Sequence, residues 1–303
     1  MVYGVELHTG WNLLGAEQNI YTQVLKRAYI KIVWRYEKGQ WYAFRPDRAN
    51  TNFGYIPKKS GFWVLSTKDT NISFEIQRGD SWYWQLQGKI DMNKSAKVYD
   101  IDLFDTPKSV IDELHEKNKV VICYFSAGSY EAWRSDNADF PKEAIGKSLD
   151  GWQDERWVDI THPKIAQIMM GRLDLAAQKG CDGVEADNVD VYMHKSGFDI
   201  DYQKQLAYNL FLADEAHKRG LLIGLKNDMQ QIKDLATRFD FAVNEECFEY
   251  DECTLYEPFL SQNKAVLNAE YKVDDICDEA KLLGISSAFC SKELDGSFYQ
   301  PCF

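Results

Sequence analysis

From about residue 80 to the C-terminus, short apolar runs of strand length alternate with amphipathic stretches of helix length. That rhythm constrains the fold more than any other feature of the chain. The candidate strands are 82–87, 97–102, 120–126, 183–187, 221–226, 241–245, 265–271 and 286–290. Between them, 107–118, 163–179 and 202–218 predict helices with readable ends. Thr106 precedes Pro107 at the first helical position, Gly180 follows the second helix, and Gly220 comes just past the third. Weaker helical periodicity covers 229–238, 255–263 and 273–283. Eight strands separated by helix-length segments over about 220 residues is the size of a (β/α)8 TIM barrel, in the α/β class. The rival, an open doubly wound sheet, would carry a glycine-rich phosphate turn after its first strand, and Gln87-Gly88-Lys89 does not supply one.

The first 77 residues have a different texture. Alternating segments at 5–14, 30–36, 41–44 and 62–66, with Glu37-Lys38-Gly39-Gln40 as a hairpin turn, predict a small β-rich N-terminal module, with a helix near 20–28. The expected division is therefore 1–77 as an accessory module and 78–303 as the barrel. Trp11, Trp34, Trp41 and Trp63 form either the core of this module or a ligand-stacking face, and the small size of the segment favours the core.

Charge narrows the function. Asp and Glu total 47 against 35 Lys and Arg, a net charge of −12, which excludes a chain built to hold phosphate backbones: no nucleic acid partner is expected. No apolar stretch approaches the roughly 20 residues needed to span a bilayer. Aromatic residues make up 14% of the chain, in keeping with carbohydrate contacts. No Cys-x-x-Cys, His-x-x-x-His or Glu-x-x-His spacing appears, so neither a structural zinc, a helix-borne metal site nor any other cofactor is expected. Among seven cysteines, Cys247 with Cys253 and Cys290 with Cys302 are close in sequence. Disulfides at those pairs would imply a protein secreted, periplasmic or held at the cell surface, whose leader is absent from this chain. Cys123 and Cys181 lie in apolar surroundings and read as small buried hydrophobes.

In a barrel of this kind the reacting groups project from the C-terminal ends of the strands. Those ends read Tyr99-Asp100-Ile101-Asp102, Glu185-Ala186-Asp187, Lys226-Asn227-Asp228, Asn244-Glu245-Glu246 and Glu270-Tyr271. A ring of acids around one lysine repels itself unless the charges are paired or used. Paired carboxylates without a metal motif suit glycoside hydrolysis, where one acid protonates the leaving oxygen and another attacks or activates water. A divalent cation on Asp100, Asp102 and Asp187 is the alternative. Acyl transfer is poorly served, because there is no G-x-S-x-G elbow.

Several successive stretches together resemble glycoside hydrolase family 114, the endo-α-1,4-polygalactosaminidase-like barrels. They are Trp84-Gln85-Leu86-Gln87-Gly88, Val98-Tyr99-Asp100-Ile101-Asp102, the run from Ile122 to Glu131, the run from Gly180 to Asp190, Gly224-Leu225-Lys226-Asn227, and Val243-Asn244-Glu245-Glu246. The family usually has Pro where Ala186 stands and Gln where Glu246 stands. The resemblance implies an enzyme cleaving α-1,4-linked galactosamine or N-acetylgalactosamine polysaccharide, endo-acting and retaining, with Asp187 as nucleophile and Glu245 as acid/base. On that reading Glu245 is kept protonated by partial burial or by Glu246 or Glu270. Tyr124, Lys226 and Asn227 would bond sugar hydroxyls, with Lys226 alternatively neutralising a carboxylate. Asp102, Asp190 and Glu270 would bind the ammonium of a deacetylated sugar, and Trp84 and Tyr271 would stack on it. The expected partner is a polysaccharide or oligosaccharide, cationic where deacetylated. The alternative is a non-catalytic carbohydrate-binding or cell-surface protein on the same barrel.

Overall fold

The computed structural model describes residues 5–16, 19–48, 53–72 and 76–303. Eight parallel strands follow one another in chain order through one sheet. They are β1 (Trp82–Gln85), β2 (Val98–Asp102), β3 (Val120–Ser126), β4 (Gly183–Asp187), β5 (Leu222–Lys226), β6 (Phe241–Glu245), β7 (Val266–Glu270) and β8 (Ser286–Cys290). Strands β3, β4, β6 and β8 have the expected bounds to the residue. The barrel closes by a graft. Strand β9 (Tyr299–Pro301) runs antiparallel beside β8. The Leu294 carbonyl, just before it, accepts the amides of Leu86 and Gln87 at 2.8 and 3.2 Å, and the Tyr299 hydroxyl donates to the Trp82 carbonyl.

Helices α1 (Lys108–Glu116), α2 (Pro163–Lys179), α3 (Tyr202–Lys218), α4 (Ile232–Leu235), α5 (Glu257–Leu260) and α6 (Cys277–Leu283) cover the outside. The second and third run as expected; the last three are shorter than their periodicity suggested, α4 and α5 being a single turn each continued from a 3₁₀ turn. Between β3 and α2 the chain builds a feature the periodicity did not announce. Ser129–Glu131, Ile145–Leu149 and Trp152–Val158 form a three-stranded antiparallel sheet with the last of these in the middle.

Successive side chains of a strand point to opposite faces, so every second residue enters the barrel. Low in the barrel these inward positions are apolar: Trp82, Val98, Val120, Ile122, Leu222, Phe241, Val243 and Leu267 are all buried. Gly224 makes room for one of them, since a Cβ there would lie 2.3 Å from the Phe241 ring. Higher up, the same rows turn polar at Asp100, Asp102, Tyr124, Glu185, Asp187, Lys226 and Glu245. Between those layers, parity alone decides which acids reach the mouth.

The N-terminal residues close the opposite end. Strands Gly10–Gly15, Gly61–Ser66, Ile30–Glu37 and Gln40–Phe44 form an antiparallel sheet in that spatial order. Its inner face (Val33, Phe44, Phe62, Val64) joins Val24 and Leu25 in one apolar core with the lower barrel residues. The helix expected near 20–28 is instead the short strand Ile20–Tyr21 and a single 3₁₀ turn, Gln23–Leu25. All three residues of that turn are buried, so it has no solvent face to make a longer amphipathic helix worthwhile. The four tryptophans do not build the core. Trp11, Trp41 and Trp63 are 54, 57 and 38% exposed and Trp34 is half-buried, because their strand positions alternate with the residues that face inward.

Three disulfides are present. Cys247–Cys253 was expected. Cys302 bonds Cys277 rather than Cys290: β9 carries it past the outer side of β8 to the start of α6, whereas Cys290 is at an inward position and is buried as a free thiol. Cys123 and Cys181, read from sequence as plain apolar residues, are bonded to each other across the β3–β4 boundary. Among the described residues, no helix is long and apolar enough to cross a membrane.

Candidate active site

At the C-terminal ends of β4, β5 and β6 the chain leaves the sheet through left-handed residues: Asn188 (φ 60°), Asn227 and Asp228 (both φ 47°) and Glu246 (φ 61°). Asn and Asp tolerate that conformation better than other side chains. The sharp exit leaves the last inward side chain of each strand, Asp187, Lys226 and Glu245, standing at the cavity floor. Packing there is tight. The amides of Ala127 and Gly128 donate to the Asp187 carbonyl at 2.8 and 3.2 Å, and a Cβ on Gly128 would fall 1.8 Å from the Asn188 carbonyl oxygen.

Lys226 is the hub. Its ammonium lies 2.9 Å from Glu185, 3.1 Å from Asp187 and 3.2 Å from Glu245, and 4.9 Å from the centre of the Trp84 ring. Burial alone would lower its pKa, but the Asp187, Glu185 and Glu245 carboxylates outweigh burial and hold it well above the ordinary lysine value. Asp187 also accepts from the Tyr124 hydroxyl at 2.9 Å, from the Asn188 amide at 2.8 Å and from the Asn188 side chain at 3.3 Å. Glu245 accepts a short hydrogen bond from the Tyr271 hydroxyl. Neither Glu246 nor Glu270 is in that set of contacts; of the alternatives expected around Glu245, partial burial is the one present.

One layer deeper, Asp100 and Glu185 are fully buried. Burial, then the neighbouring Glu185, pushes the Asp100 carboxyl well above the usual range. Glu185 itself is raised to about 6 by burial and Asp187, with Lys226 opposing. Three acids therefore share one ammonium, and behind them burial and the neighbouring Glu185 favour the neutral form of Asp100. Of the three acids that could share a divalent cation, Asp187 is paired with Lys226 and Asp102 with Arg134. Among the described residues no group of three His, Cys, Asp or Glu side chains is arranged to hold a metal.

The cavity above this floor has a volume of about 930 Å³ and is walled on one side by the β3–α2 insertion. Tyr124, Asp187, Asp190, Lys226, Asn227, Glu245 and Tyr271 all line it. Three expectations need correction. Glu270 stands at an outward position of β7, where it accepts from the Phe248 amide and the Asn268 side chain and does not reach the cavity. Asp102 lines the cavity but is gripped by both terminal nitrogens of Arg134, at 3.0 and 2.6 Å, so its charge is already matched. Trp84 is 2% exposed, with its ring against the Lys226 ammonium and the Trp82 indole; it is floor, not platform. Asn227 turns inward on the protein, its side-chain carbonyl accepting from the Glu245 amide at 3.1 Å and from Asn244 at 3.2 Å. Asp190 pairs with His194 at 3.2 Å.

The insertion supplies what sequence reasoning missed. Trp133 and Trp152 are 53 and 48% exposed at the cavity rim, and Arg134 and Glu155 line its wall. The available signal was length: more than thirty residues between β3 and α2, at the catalytic end of the barrel, where long loops usually carry function.

Comparisons with known proteins agree with this geometry. A family model described as glycoside-hydrolase family GH114 matches residues 65–302. A crystal structure of Ega3 from Aspergillus fumigatus in complex with galactosamine superposes with a TM-score of 0.72 at 36% identity, covering 77% of this chain and 99% of that one. The glycoside hydrolase domain of PelA from Pseudomonas aeruginosa shares the fold, at a TM-score of 0.54 and 13% identity over 71% of this chain and 95% of that one. Among curated proteins nothing matches.

Proposed function

The chain belongs to glycoside-hydrolase family GH114, and from that premise we propose that it cleaves α-1,4-linked polymers of galactosamine, with or without N-acetyl groups, within the chain and with retention of configuration. The observation that carries the proposal is the single ammonium of Lys226 touching both Asp187 and Glu245, which brings two acids from β4 and β6 to one cavity. A retaining double displacement needs carboxyl groups only about 5–5.5 Å apart, against about 6.5–9.5 Å for inversion, and two carboxyl groups sharing one cation suit the shorter spacing. The galactosamine bound to Ega3 supports the choice of sugar.

In the first step Asp187 attacks the anomeric carbon while Glu245 gives its proton to the departing glycosidic oxygen. The products are a glycosyl ester on Asp187, a shortened chain with a free hydroxyl, and a Glu245 carboxylate. In the second step that carboxylate takes a proton from water, whose oxygen attacks the same carbon and frees Asp187. The negative charge thus passes from Asp187 to Glu245 and back. Lys226, in contact with both, faces the anion in either state without moving. Tyr124 holds the nucleophile and Tyr271 the acid/base, each through its hydroxyl. Trp133 and Trp152, exposed at the rim, take the stacking role expected of Trp84. Three disulfides in the described structure further support maturation in an oxidising compartment, outside the cytoplasm.

The test is incubation with α-1,4-linked galactosaminan, acetylated and not, with fragments identified by mass spectrometry and the first-formed anomer by NMR. A ladder of oligomers whose new ends are initially α supports endo-acting retention. Initial β ends would remove Asp187 from the nucleophile role, and absence of fragments from either polymer would overturn the substrate.

A further inference from the structure

We infer that Glu155 is the residue that selects a deacetylated sugar, by pairing its carboxylate with the 2-ammonium group of a hexosamine bound over Asp187; this rests on the hydrolase reading of the mouth. The exposed acids of the cavity wall, Asp105, Asp150, Asp154 and Glu293, have water for their charge, and the more deeply set ones, Glu155 apart, are matched within the protein. Asp102 has Arg134, Asp190 has His194, and Glu131 has both Arg134 and Arg172 at 2.8 and 3.4 Å. Asp187 and Glu245 share Lys226. Glu155 is only 9% exposed, yet among the described residues it has no cation; its one side-chain hydrogen bond is from the Ser129 hydroxyl at 2.8 Å. Burying a carboxylate without a counter-charge is costly, and such a site persists where a ligand brings the missing charge.

Position fits the role. Ser129 and Ser126 share a hydrogen bond of 2.6 Å, Ser126 accepts from the Asn188 side chain at 2.9 Å, and Asn188 in turn donates to Asp187. A short relay of hydroxyl and amide groups therefore fixes Glu155 relative to the carboxylate that meets the anomeric carbon. The 2-substituent is bonded to the carbon next to that anomeric centre, so a group beside Asp187 is where an amine is read. An N-acetyl group there would be neutral and bulkier, leaving Glu155 unpaired.

The charged surroundings add a pH dependence. Burial raises the Glu155 carboxyl to about 7; Ser129 and Arg134 oppose, while Glu131 and Asp187 add to the rise. Without ligand, the group therefore gains its proton as pH falls below about 7 and loses the charge that recognises ammonium.

The experiment compares the wild-type protein with Glu155→Gln and Glu155→Asp on α-1,4-galactosamine oligomers and on their N-acetylated counterparts. The preference, taken as the ratio of kcat/KM for the two substrates, is expected to fall about tenfold to a hundredfold in Glu155→Gln, chiefly through KM for the cationic oligomer, and to recover partly in Glu155→Asp. In the wild type, KM for the cationic oligomer rises relative to the neutral one from pH 8 to pH 5, and Glu155→Gln flattens that trend. An unchanged preference, or an equal loss on both substrates, would overturn the role. Equilibrium binding of both oligomers to Asp187→Asn with and without Glu155→Gln decides the matter apart from turnover. If neither oligomer is cleaved by the wild type, the hydrolase reading fails, while a selective loss of binding to the cationic one still upholds Glu155. Equal binding of the two oligomers, unaltered by the substitution, would sink it.

Discussion

Strand β4 carries an acid at each end, and the two are solved in opposite ways. Just below the strand, Asp182 is fully buried; it accepts from Arg27 at 3.0 Å, from His115 at 3.0 Å and from the Val121 amide at 2.9 Å, and a second Arg27 nitrogen forms an ion pair with it at 2.9 Å. Burial alone would raise its pKa, but Arg27 and His115 outweigh burial and hold it far below the ordinary carboxylate range. At the upper end, Asp187 shares one ammonium with Glu185 and Glu245, and the acids behind it are pushed up instead. The lower cluster has charge to spare for its acid; the upper one has acid to spare for its charge. A saturated cluster stabilises and does nothing else. An undersupplied one costs stability and leaves carboxyl groups free to react, which is the expected division between the two faces of a TIM barrel.

Replacing one acid at a time separates the two ends most sharply. Asp187→Asn is expected to lower kcat by at least about 10³-fold, as loss of a reacting group does, with thermal stability unchanged or raised because a surplus charge has gone. Asp182→Asn should do the reverse. It leaves Arg27 charged and unmatched in the core, so unfolding stability should fall by about 3–5 kcal/mol while the folded fraction keeps its kcat. Urea unfolding beside kinetics on the same samples checks both. If Asp187→Asn lost stability as Asp182→Asn does, the upper acids would be scaffold rather than chemistry.

The two ends also differ in the sign of their response to pH. Asp182 has a folded-state pKa below its unfolded value of about 3.9. Its stabilisation is complete above that value and is lost as pH falls toward the lowered one. Glu185 and Glu155 are raised to about 6 and about 7, so the folded protein holds their protons more firmly than the unfolded chain. Their contribution is favourable below about 4.3, the unfolded value, and declines as pH rises through the raised values, with a limiting slope of ~1.4 kcal/mol per pH unit for each proton. Stability by denaturant titration should therefore peak on the acid side of neutrality, and Glu155→Gln should reduce the decline between pH 5 and 7. A wild-type profile flat from pH 4 to 8 would contradict the raised values.

The barrel was legible in the sequence because its strands are buried on both faces and stand out as apolar runs between capped helices; α2 and α3 were found to the residue. The two acids that meet at Lys226 were legible too, since Asp187 and Glu245 end their strands at inward positions. Glu270 also ends a strand but with the other parity, so its side chain meets the Phe248 amide and Asn268 outside the barrel, and only a count in twos from the apolar rows below distinguishes it from Glu245. Arg134, Glu155 and the Cys277–Cys302 bond were out of reach for another reason. Each depends on where a long connection returns to the barrel, and local periodicity carries no information about that. The N-terminal turn at Gln23–Leu25 was misread because its apolar residues suit a short helix, until the barrel floor is present to bury all of them.

The smallest expected effect contrasts the two faces of the N-terminal sheet. Leu25, on the side that plugs the barrel, is fully buried, and Leu25→Ala should cost about 2–5 kcal/mol through lost burial and the cavity left behind. Trp41, a much larger residue, stands on the outer face with its ring edge-on to Trp34 at 6.1 Å and tilted against Tyr36 at 5.1 Å. Most of its surface is already in water, so Trp41→Ala removes little buried area and should change stability by about 1 kcal/mol or less. Side-chain size alone would rank the two the other way round. Thermal unfolding of the pair distinguishes the accounts: a loss at Trp41 as large as that at Leu25 would mean that the outer tryptophans are covered in the folded chain, and that the sheet contributes to the core through both faces rather than through the one that meets the barrel.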